Sequence, residues 1–386
     1  MDMTQQGIIM LLKAAITGEA AILPQEFDIA EARLLMKRHH VAPLLYEGAV
    51  RCGISAQDET MRHLFRKYCR ALQISEGQMG QVRRIFAAFD ENGIDYMPLK
   101  GCCMKALYPK PELRLMGDAD ILIRLEQYEK IRSIMQSLHF EEGAETDHEL
   151  VWKNDALYLE LHKHLIPSYN EDLYGYFGTG WQRAKRVIGG LHAMNVEDEW
   201  IFLFTHFAKH FRDGGIGCRH VVDLWVYLRS HPELDEAYVR TQLEQLQLLE
   251  FYDNIRRLLA VWFDGAQWDE KTELISHFIF SSGSWGEAES RVISRAVRDG
   301  ATGKNGKLVY LWQTAFPDAL TLQEKYPVLK KAPWMLPVVW AYRPFYKLFA
   351  EPTTLKKKKE DLTALSGENV DARQQLLNFV GLEYRF

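Results

Sequence analysis

The amino-acid sequence predicts an α+β fold, in which a small mixed β-sheet core is flanked by a helical N-terminal region and a larger helical C-terminal region. Two observations favour this class. Between about residues 93 and 165, short apolar strand patterns alternate with amphipathic helix patterns, whereas the chain on either side has apolar residues at helical spacing. The 386 residues are also enough for two or three domains. We therefore expect three parts: a helical region over 1–90, the mixed core over 91–190 and a helical domain over 191–386.

The composition is that of a globular protein, because hydrophobic residues make up 47% and charged residues 26% of the chain. The formal net charge of −5 disfavours long nucleic acids as partners, since these need a strongly basic surface. No apolar run approaches the roughly 18 residues of a membrane span, and the N-terminal residues lack the basic start of a signal peptide. The five cysteines contain no CxxC pair, so we expect a reduced protein in the cytoplasm.

A basic run near the C-terminus, Lys356 to Lys359, follows a segment rich in aromatic residues. Such a run can contact an anionic membrane surface peripherally, or bind a nucleic acid. Glu360 and Asp361 follow it directly and offset its charge, which favours a solvated helix face. We therefore expect no membrane partner, and the role of the run stays open.

The predicted elements follow one another in a simple order. The N-terminal region ends in an amphipathic helix, in which apolar residues recur at helical spacing from Met79 to Phe89 before the stop signal Asn92-Gly93. After about residue 196, long buried helices are expected. In the core, strands are expected over 94–99, 118–123, 149–153 and 156–162, and helices over 102–107 and 125–138.

Asp118 and Asp120, in the second predicted strand, carry the most informative chemistry. Side chains alternate along a strand, so both carboxylates project to one face while Ala119 and Ile121 face the core. Two like charges side by side repel each other, and a divalent cation between them relieves the repulsion. Oxygen ligands favour Mg²⁺ or Mn²⁺. A lone Asp-x-Asp pair also occurs by chance at strand starts, where the acids are solvated turn residues.

Glu160 offers a third carboxylate. Along 157–162 the leucines share one strand face, and Tyr158, Glu160 and His162 share the other. If this strand lies beside the strand of Asp118, Glu160 completes the three-carboxylate cluster that two-metal nucleotidyl transfer requires. His162 is on the same predicted face and is expected to orient a ligand or to contact phosphate. The alternative is a structural histidine with its hydrogen bonds satisfied.

The turn that follows the first predicted strand, 94–99, is a candidate phosphate-binding element. A predicted strand ends at Lys100, and a helix begins at once, so the backbone N–H groups of Gly101 and Cys102 are expected to bind phosphate. Lys100 and Arg114 would add positive charge at the same place. A plain strand–helix connection with a solvated Lys100 is the alternative.

Together these motifs resemble the DNA polymerase beta-type nucleotidyltransferase superfamily, and within it the branch of uncharacterised nucleotidyltransferases. The resemblance rests on Lys100-Gly101, Leu107-Tyr108-Pro109, Arg114, residues 117–123 and residues 159–162. It implies a metal-dependent transfer of a nucleotidyl group from a nucleoside triphosphate. Asp118 and Asp120 match the paired metal ligands, and Glu160 matches the third acid. The specific motifs cover about 90 residues, and a weaker likeness extends through most of the chain.

Two positions depart from the common pattern of the superfamily. Cys102 stands where many members have Ser, so a hydroxyl contact to phosphate is absent there. Glu160 stands where Asp is commoner, and its carboxylate remains a competent ligand on a longer side chain.

Two histidines one helical turn apart, His206 and His210, are polar exceptions in an apolar helical region, together with Arg219 and Asp223. We expect the histidines to line the nucleotide-binding cleft. Hydrogen-bonded histidines in a helical core are one alternative. A transition-metal site with His220 and Asp223 is another, although this spacing is a weak signal.

The sequence thus predicts an enzyme that moves a nucleoside monophosphate from a nucleoside triphosphate to an unidentified hydroxyl acceptor, with Mg²⁺ or Mn²⁺ as cofactor and pyrophosphate as product. A small molecule, a sugar or a protein is expected as acceptor. One alternative is a non-catalytic nucleotide sensor or scaffold on the same fold. Another is a phosphotransferase, or an enzyme that attaches the nucleotide to a protein side chain. The sequence identifies neither the base nor the acceptor.

Overall fold

The computed structural model describes residues 1–168, 170–283, 316–317, 322, 326, 328–350 and 367–382. The basic run Lys356–Lys359 lies outside these residues. Met1–Lys209 and Ile216–Trp285 belong to one compact unit, and His210–Gly215 belongs to a second unit with the described residues further along the chain. Within the described part, no helix combines the length and the apolar character needed to cross a membrane.

Four helices precede the sheet. They are α1 (Met3–Thr17), α2 (Ile29–Leu35), α3 (Ala42–Arg51) and α4 (Glu59–Glu91). The 33-residue helix α4 begins where the Asp58 side chain accepts hydrogen bonds from the backbone N–H groups of Thr60 and Met61. Its C-terminal half buries Val82, Ile85 and Phe89 against the sheet, which confirms the predicted helix that ends before Asn92.

Seven strands form one mixed sheet. They are β1 (Tyr96–Leu99), β2 (Ala119–Ile123), β3 (Glu141–Glu145), β4 (Glu149–Lys153), β5 (Tyr158–His162), β6 (Lys185–Ile188) and β7 (Leu191–Ala193). Their spatial order is β3-β4-β5-β2-β1-β7-β6. The pairs β2–β5 and β1–β7 are parallel, and the other neighbouring pairs are antiparallel. The four strands that the sequence predicts are the consecutive strands β4, β5, β2 and β1, and the α+β class is confirmed.

One face of this sheet packs against helices α4 and α6 (Tyr128–Ser137). The buried residues on this face alternate along each strand, as Ala119 and Ile121 do in β2 and Leu159 and Leu161 do in β5. The residues between them therefore project to the opposite face, where Asp120, Glu160 and the other polar candidates lie.

The connection from β1 to β2 consists of short helical turns. Helix α5 (Gly101–Met104) has four residues and continues into a 3₁₀ turn at Lys105–Leu107, so the predicted helix over 102–107 is tighter than expected. The buried Lys105 explains part of this shape, because its Nζ donates a 2.7 Å hydrogen bond to the backbone oxygen of Arg114. Further 3₁₀ turns occur at Met36–His39, Pro111–Leu113, Leu125–Gln127, Trp181–Arg183 and Pro333–Met335.

Helices make up most of the described residues after β7, as the sequence predicts for the chain beyond about residue 196. In the first unit, α7 (Glu171–Phe177) precedes β6, and α9 (Cys218–Ser230), α10 (Glu236–Gln245), α11 (Leu249–Phe263) and α12 (Glu270–Ser282) follow β7, while α8 (Val196–Asp213) runs from the first unit into residues of the second. The second unit also contains α13 (Val328–Lys331), α14 (Leu336–Ala350) and α15 (Gly367–Phe379). All five cysteines are free thiols.

Candidate active site

The polar candidates lie on the central strands of the sheet. In the parallel pair β2–β5, Asp120 is directly opposite Glu160, so the strand adjacency that the sequence prediction required is present. Asp118 precedes β2 and is half-buried, whereas Asp120 is only 3% exposed. Asp120, Glu160 and His162 each offer a ligand atom, and these atoms lie within 4.8 Å of one another. Asp118 borders this tight group.

Asp120 is held by two cationic or polar neighbours through the same oxygen. Its Oδ1 accepts a hydrogen bond from Lys100 Nζ at 2.8 Å and another from His162 Nε2 at 2.9 Å. Burial by itself would raise the pKa of Asp120, but the charge of Lys100 and the hydrogen bond from His162 outweigh burial and lower it. Asp120 is therefore an ionised carboxylate. Both of these hydrogen bonds go to Oδ1, so Oδ2 can bind a further ligand.

The other two acids, Glu160 and Asp118, have raised pKa values. Burial, reinforced by the charges of Asp120 and Asp118, raises the pKa of Glu160 to about 8. Burial and the charge of Asp120 likewise raise the pKa of Asp118. Lys100 opposes both shifts but does not cancel them. Three carboxylates around one ammonium group are a donor set that fits a hard divalent cation, since the cation supplies the missing positive charge.

Lys100 is placed by an unusual backbone conformation. Its φ of 40° lies in the left-handed region, which is strained for a residue with a Cβ. The side chain is 17% exposed and forms an ion pair with Asp120, so the interpretation of a merely solvated Lys100 is wrong. In this structure the ammonium group of Lys100 lies beside the carboxylate of Asp120.

Gly101 and Cys102 follow in the turn that the sequence marks as phosphate-binding. A Cβ on Gly101 would lie 3.0 Å from the Met116 side chain and 3.3 Å from Arg114 Nη1, so the glycine lets both side chains approach the turn. Cys102 packs against the hydrophobic core, and burial raises the pKa of its thiol to about 12. Its side chain is thus a core group, and only its backbone is suited to bind an anion.

Arg114 is already bound to an acid. Its Nε and Nη2 donate to Asp223 Oδ1 and Oδ2 at 2.8 and 3.0 Å, and both side chains are buried. Tyr108 donates a third hydrogen bond to Asp223 at 2.7 Å. The remaining nitrogen, Nη1, lies beside Gly101. Asp223 is therefore an arginine partner, which disfavours the alternative of a transition-metal site built on it.

Arg219 is a neighbour of the site that sequence reasoning noticed only as a polar exception. Its Nη1 donates to the backbone oxygen of Leu115 at 2.7 Å, and its charge acts on Asp118. The signal for Arg219 and Asp223 was the presence of charge in an apolar helical segment. Their partners lie more than a hundred residues away in sequence, so that signal contained no information on the pairing.

His206 and His210 are both half-buried on α8. His206 lies beside Phe202, with ring centroids 6.5 Å apart, and His210 belongs to the second unit. Neither is among the residues that converge on Asp120 within the described part of the chain. Their contact with nucleotide stays a prediction.

The chain was compared with solved structures, with curated proteins and with protein-family models. Among solved structures, the chain is similar to the antibiotic-resistance factor ANT(2'')-Ia, with 15% identity over 45% of this chain and 94% of that chain. The TM-score is 0.32. No curated protein sequence matches the chain. The family model described as "Uncharacterised nucleotidyltransferase" matches residues 25–264, which is well over half of the chain and includes β1, β2 and β5. The chain therefore belongs to the family of uncharacterised nucleotidyltransferases and is a transferase, as its motifs predicted.

Proposed function

We propose that this protein transfers a nucleoside monophosphate from a nucleoside triphosphate to a hydroxyl group, with Mg²⁺ or Mn²⁺ held by Asp118, Asp120 and Glu160. The observation that carries the proposal is the register of β2 and β5, which sets Asp120 opposite Glu160 on the face away from the core. When bound, the cation would neutralise the triphosphate and favour the ionised form of the attacking oxygen.

The side chains have distinct proposed roles in the reaction. With a cation opposing the charges of Asp118 and Asp120, Glu160 would be ionised and would accept the proton of the acceptor hydroxyl as the new bond between that oxygen and the α-phosphorus forms. The bond from the α-phosphorus to the bridging oxygen breaks, and pyrophosphate leaves with its negative charge. We assign the stabilisation of that charge to the backbone N–H groups of Gly101 and Cys102, with Lys100 and with Arg114 Nη1, which lies beside Gly101.

Lys100 and His162 have additional roles that follow from their contacts with Asp120. We assign His162 to orienting Asp120, because its Nε2 donates directly to Oδ1. Lys100 neutralises Asp120 while the triphosphate is absent. We propose that the ammonium group turns to the phosphates when nucleotide binds, which its long flexible side chain allows.

A basic cavity supports a small anionic acceptor. The cavity has a volume of about 480 Å³ and includes Leu115 in its wall. It is also lined by the cationic or titratable side chains of Arg33, Lys37, His40, His63 and Lys67. No acidic side chain is among the lining residues that the structure describes. The volume is that of a small-molecule site, and the charge favours a phosphate, sulfate or carboxylate group.

Arg219 links this cavity to the site. It is bound to the backbone of Leu115 in the cavity wall, and it acts electrostatically on both His40 and Asp118. An acceptor whose anionic group lies in the cavity would thus reach toward the carboxylates. We therefore favour a small anionic molecule over a protein as acceptor.

The first experiment measures pyrophosphate release from each of the four common nucleoside triphosphates with Mg²⁺ or Mn²⁺, with cell extract as the source of acceptor. Asp118→Asn and Asp120→Asn are expected to lower release at least about a thousandfold, because each removes charge that the transition state requires. Asp155→Asn, in the exposed β4–β5 turn, is the matched control and is expected to retain full activity. Retained release in both Asp118→Asn and Asp120→Asn would overturn the proposal.

The acceptor class is tested with triphosphate labelled in the α-phosphate. Extract is divided on an anion-exchange resin before the reaction, and we expect the retained fraction to yield the labelled product. Lys37→Gln/Lys67→Gln should lower labelling while nucleotide affinity, measured by calorimetry, is unchanged. Labelling that is confined to the unretained fraction, or to protein, would overturn the small anionic acceptor without affecting the nucleotidyl transfer.

A second candidate function is favoured by the pairing of the cations. Lys100 is bound to Asp120 and Arg114 is bound to Asp223, so both positive groups expected near the triphosphate already have acidic partners. In a non-catalytic nucleotide sensor, binding of the nucleotide would only have to exchange these acidic partners for phosphate groups. It predicts metal-dependent nucleotide binding in the calorimeter without pyrophosphate release.

A further inference from the structure

A second cluster of potential ligands lies one strand further from β2. Glu149, the first residue of β4, is directly opposite His162 in the antiparallel pair β4–β5, and His148 immediately precedes it. His148, Glu149 and His162 each offer a ligand atom, and these atoms lie within 4.8 Å of one another. The cluster therefore combines two imidazoles with one carboxylate, in contrast to the carboxylates around Asp120.

His162 has one ring nitrogen without a partner. A carboxylate can only accept a hydrogen bond, so Nε2, at 2.9 Å from Asp120 Oδ1, carries the ring proton. Nδ1 is then an acceptor with a bare lone pair. It is buried and has no hydrogen-bond partner among the described residues, and the side chain as a whole is 2% exposed. A buried acceptor without a donor is uncommon in proteins, and a bound ion is one way to satisfy it.

The hydrogen bond from His162 Nε2 to Asp120 is of the kind that metal-binding histidines usually make through their second nitrogen. Histidines that bind metals through one nitrogen regularly donate the other N–H to a carboxylate or a backbone carbonyl. Asp120 supplies such a carboxylate for His162.

His148 and Glu149 are already close to the spacing of two ligands on one ion. His148 Nε2 lies 3.1 Å from Glu149 Oε2, and both side chains are 18% exposed, so an ion can reach them from solvent. For a cation with bonds of about 2.0–2.1 Å, two neighbouring ligand atoms are about 3.0–3.4 Å apart. The ring of His148 is 5.7 Å from that of His162, measured between centroids.

We propose that His148, Glu149 and His162 Nδ1 bind a divalent transition-metal ion of the Zn²⁺ type. Imidazole nitrogen with one carboxylate suits Zn²⁺ and similar ions, whereas Mg²⁺ prefers oxygen ligands and selects the carboxylates of Asp118, Asp120 and Glu160. The two sites are joined through the His162 ring. An ion on Nδ1 would fix this ring and with it the hydrogen bond that orients Asp120, so His162 is a positioning residue between them.

The test measures Zn²⁺ binding to the full-length protein after removal of metals with a chelator. Zn²⁺ is titrated against a chromophoric chelator in the presence of excess Mg²⁺, which occupies the oxygen-rich site. We expect one Zn²⁺ per chain in the wild type, and affinity at least about thirtyfold weaker in His148→Ala and Glu149→Gln. His277→Ala, on the exposed face of α12, is the control for non-specific histidine binding and should bind Zn²⁺ normally. Circular dichroism shows whether each variant is folded.

Asp118→Asn distinguishes the proposed Zn²⁺ site from the carboxylate site. It should retain Zn²⁺ affinity while its Mn²⁺ affinity falls. Three results would overturn the proposal: no Zn²⁺ bound at micromolar concentration, equal Zn²⁺ affinity in the wild type and both cluster variants, or loss of Zn²⁺ in Asp118→Asn. None of these results depends on whether the protein releases pyrophosphate. The Zn²⁺ site can therefore be disproved while the proposed function stands, and the proposed function can be disproved while the Zn²⁺ site stands.

Discussion

Arg114 and Asp223 form a buried ion pair with two hydrogen bonds, at 2.8 and 3.0 Å, that connects the segment before β2 with helix α9. Both side chains are almost fully buried, at 7% and 4% exposure. Tyr108 lies in the same β1–β2 connection as Arg114 and donates to the same carboxylate, so two groups of that connection meet one acid of α9. The pair fixes the approach to β2, and with it the position of Asp118 and Asp120.

Removing one member of this pair should be costly. Asp223→Ala leaves the Arg114 guanidinium buried without its counter-ion, and we expect the free energy of unfolding to fall by about 3–5 kcal/mol. Urea unfolding at pH 7 measures this loss. The double variant Arg114→Met/Asp223→Leu removes both charges and should recover most of the stability. A loss below about 1 kcal/mol in Asp223→Ala would show that the guanidinium is solvated.

Lys100 competes with cations for Asp120. Because its ammonium group lies 2.8 Å from Asp120 Oδ1, Lys100→Met should tighten Mn²⁺ binding to the apo protein by about tenfold, or about 1.4 kcal/mol. Mn²⁺ affinity is measured by electron paramagnetic resonance titration without nucleotide. Lys110→Met removes a lysine that is paired with Glu47 instead and is the control. Weaker Mn²⁺ binding in Lys100→Met would mean that the lysine organises the carboxylates rather than competing for them.

Two glycine substitutions should change stability in opposite directions. A Cβ on Gly48, in α3, would lie 2.0 Å from the backbone oxygen of Leu11 in α1, so Gly48→Ala forces the two helices apart. We expect a loss of more than about 2 kcal/mol. Gly77, exposed in α4, has open space around its Cβ position, and Gly77→Ala should add about 0.5–1 kcal/mol through helix propensity. Thermal and urea unfolding measure both, and a neutral Gly48→Ala would contradict the close contact.

The buried His39 predicts a loss of stability in mild acid. Burial lowers the pKa of His39 to about 4, and the hydrogen bond to the backbone oxygen of Phe280 opposes this shift only in part. Nδ1 accepts from the backbone N–H of Cys218, so the neutral ring satisfies both neighbours. The unfolded chain has a histidine pKa of about 6.5 and binds the proton first as the pH falls. The stabilising contribution is therefore complete above about pH 6.5 and is lost between pH 6.5 and 4.

The expected loss for His39 is about 2 kcal/mol between pH 7 and pH 5. Urea unfolding at the two pH values measures it. His39→Gln has no titrating ring at this position, so its stability should change less with pH than that of the wild type. Equal pH dependence of the two proteins would assign the acid sensitivity to other groups.

The strands at the centre of the sheet were predictable because their signal is local. In β2 and β5, apolar and polar residues alternate, and the alternation by itself fixes which side chains share a face. The faces of Asp120 and Glu160 therefore followed from the sequence before any pairing was known. The outer strands β3 and β6 carry no such pattern, because all their residues are exposed, and they were missed.

The sequence by itself determined the residue types of the site, their strand faces and the family. It left open which strands are neighbours and which charges pair. Only the tertiary structure set Glu160 beside Asp120, placed Lys100 on Asp120 and bound Arg114 to Asp223, across 20 and 109 residues in the last two cases. Alternation is a property of the local backbone, whereas an ion pair between distant residues depends on how the whole chain packs, and burial then decides the protonation state of each group.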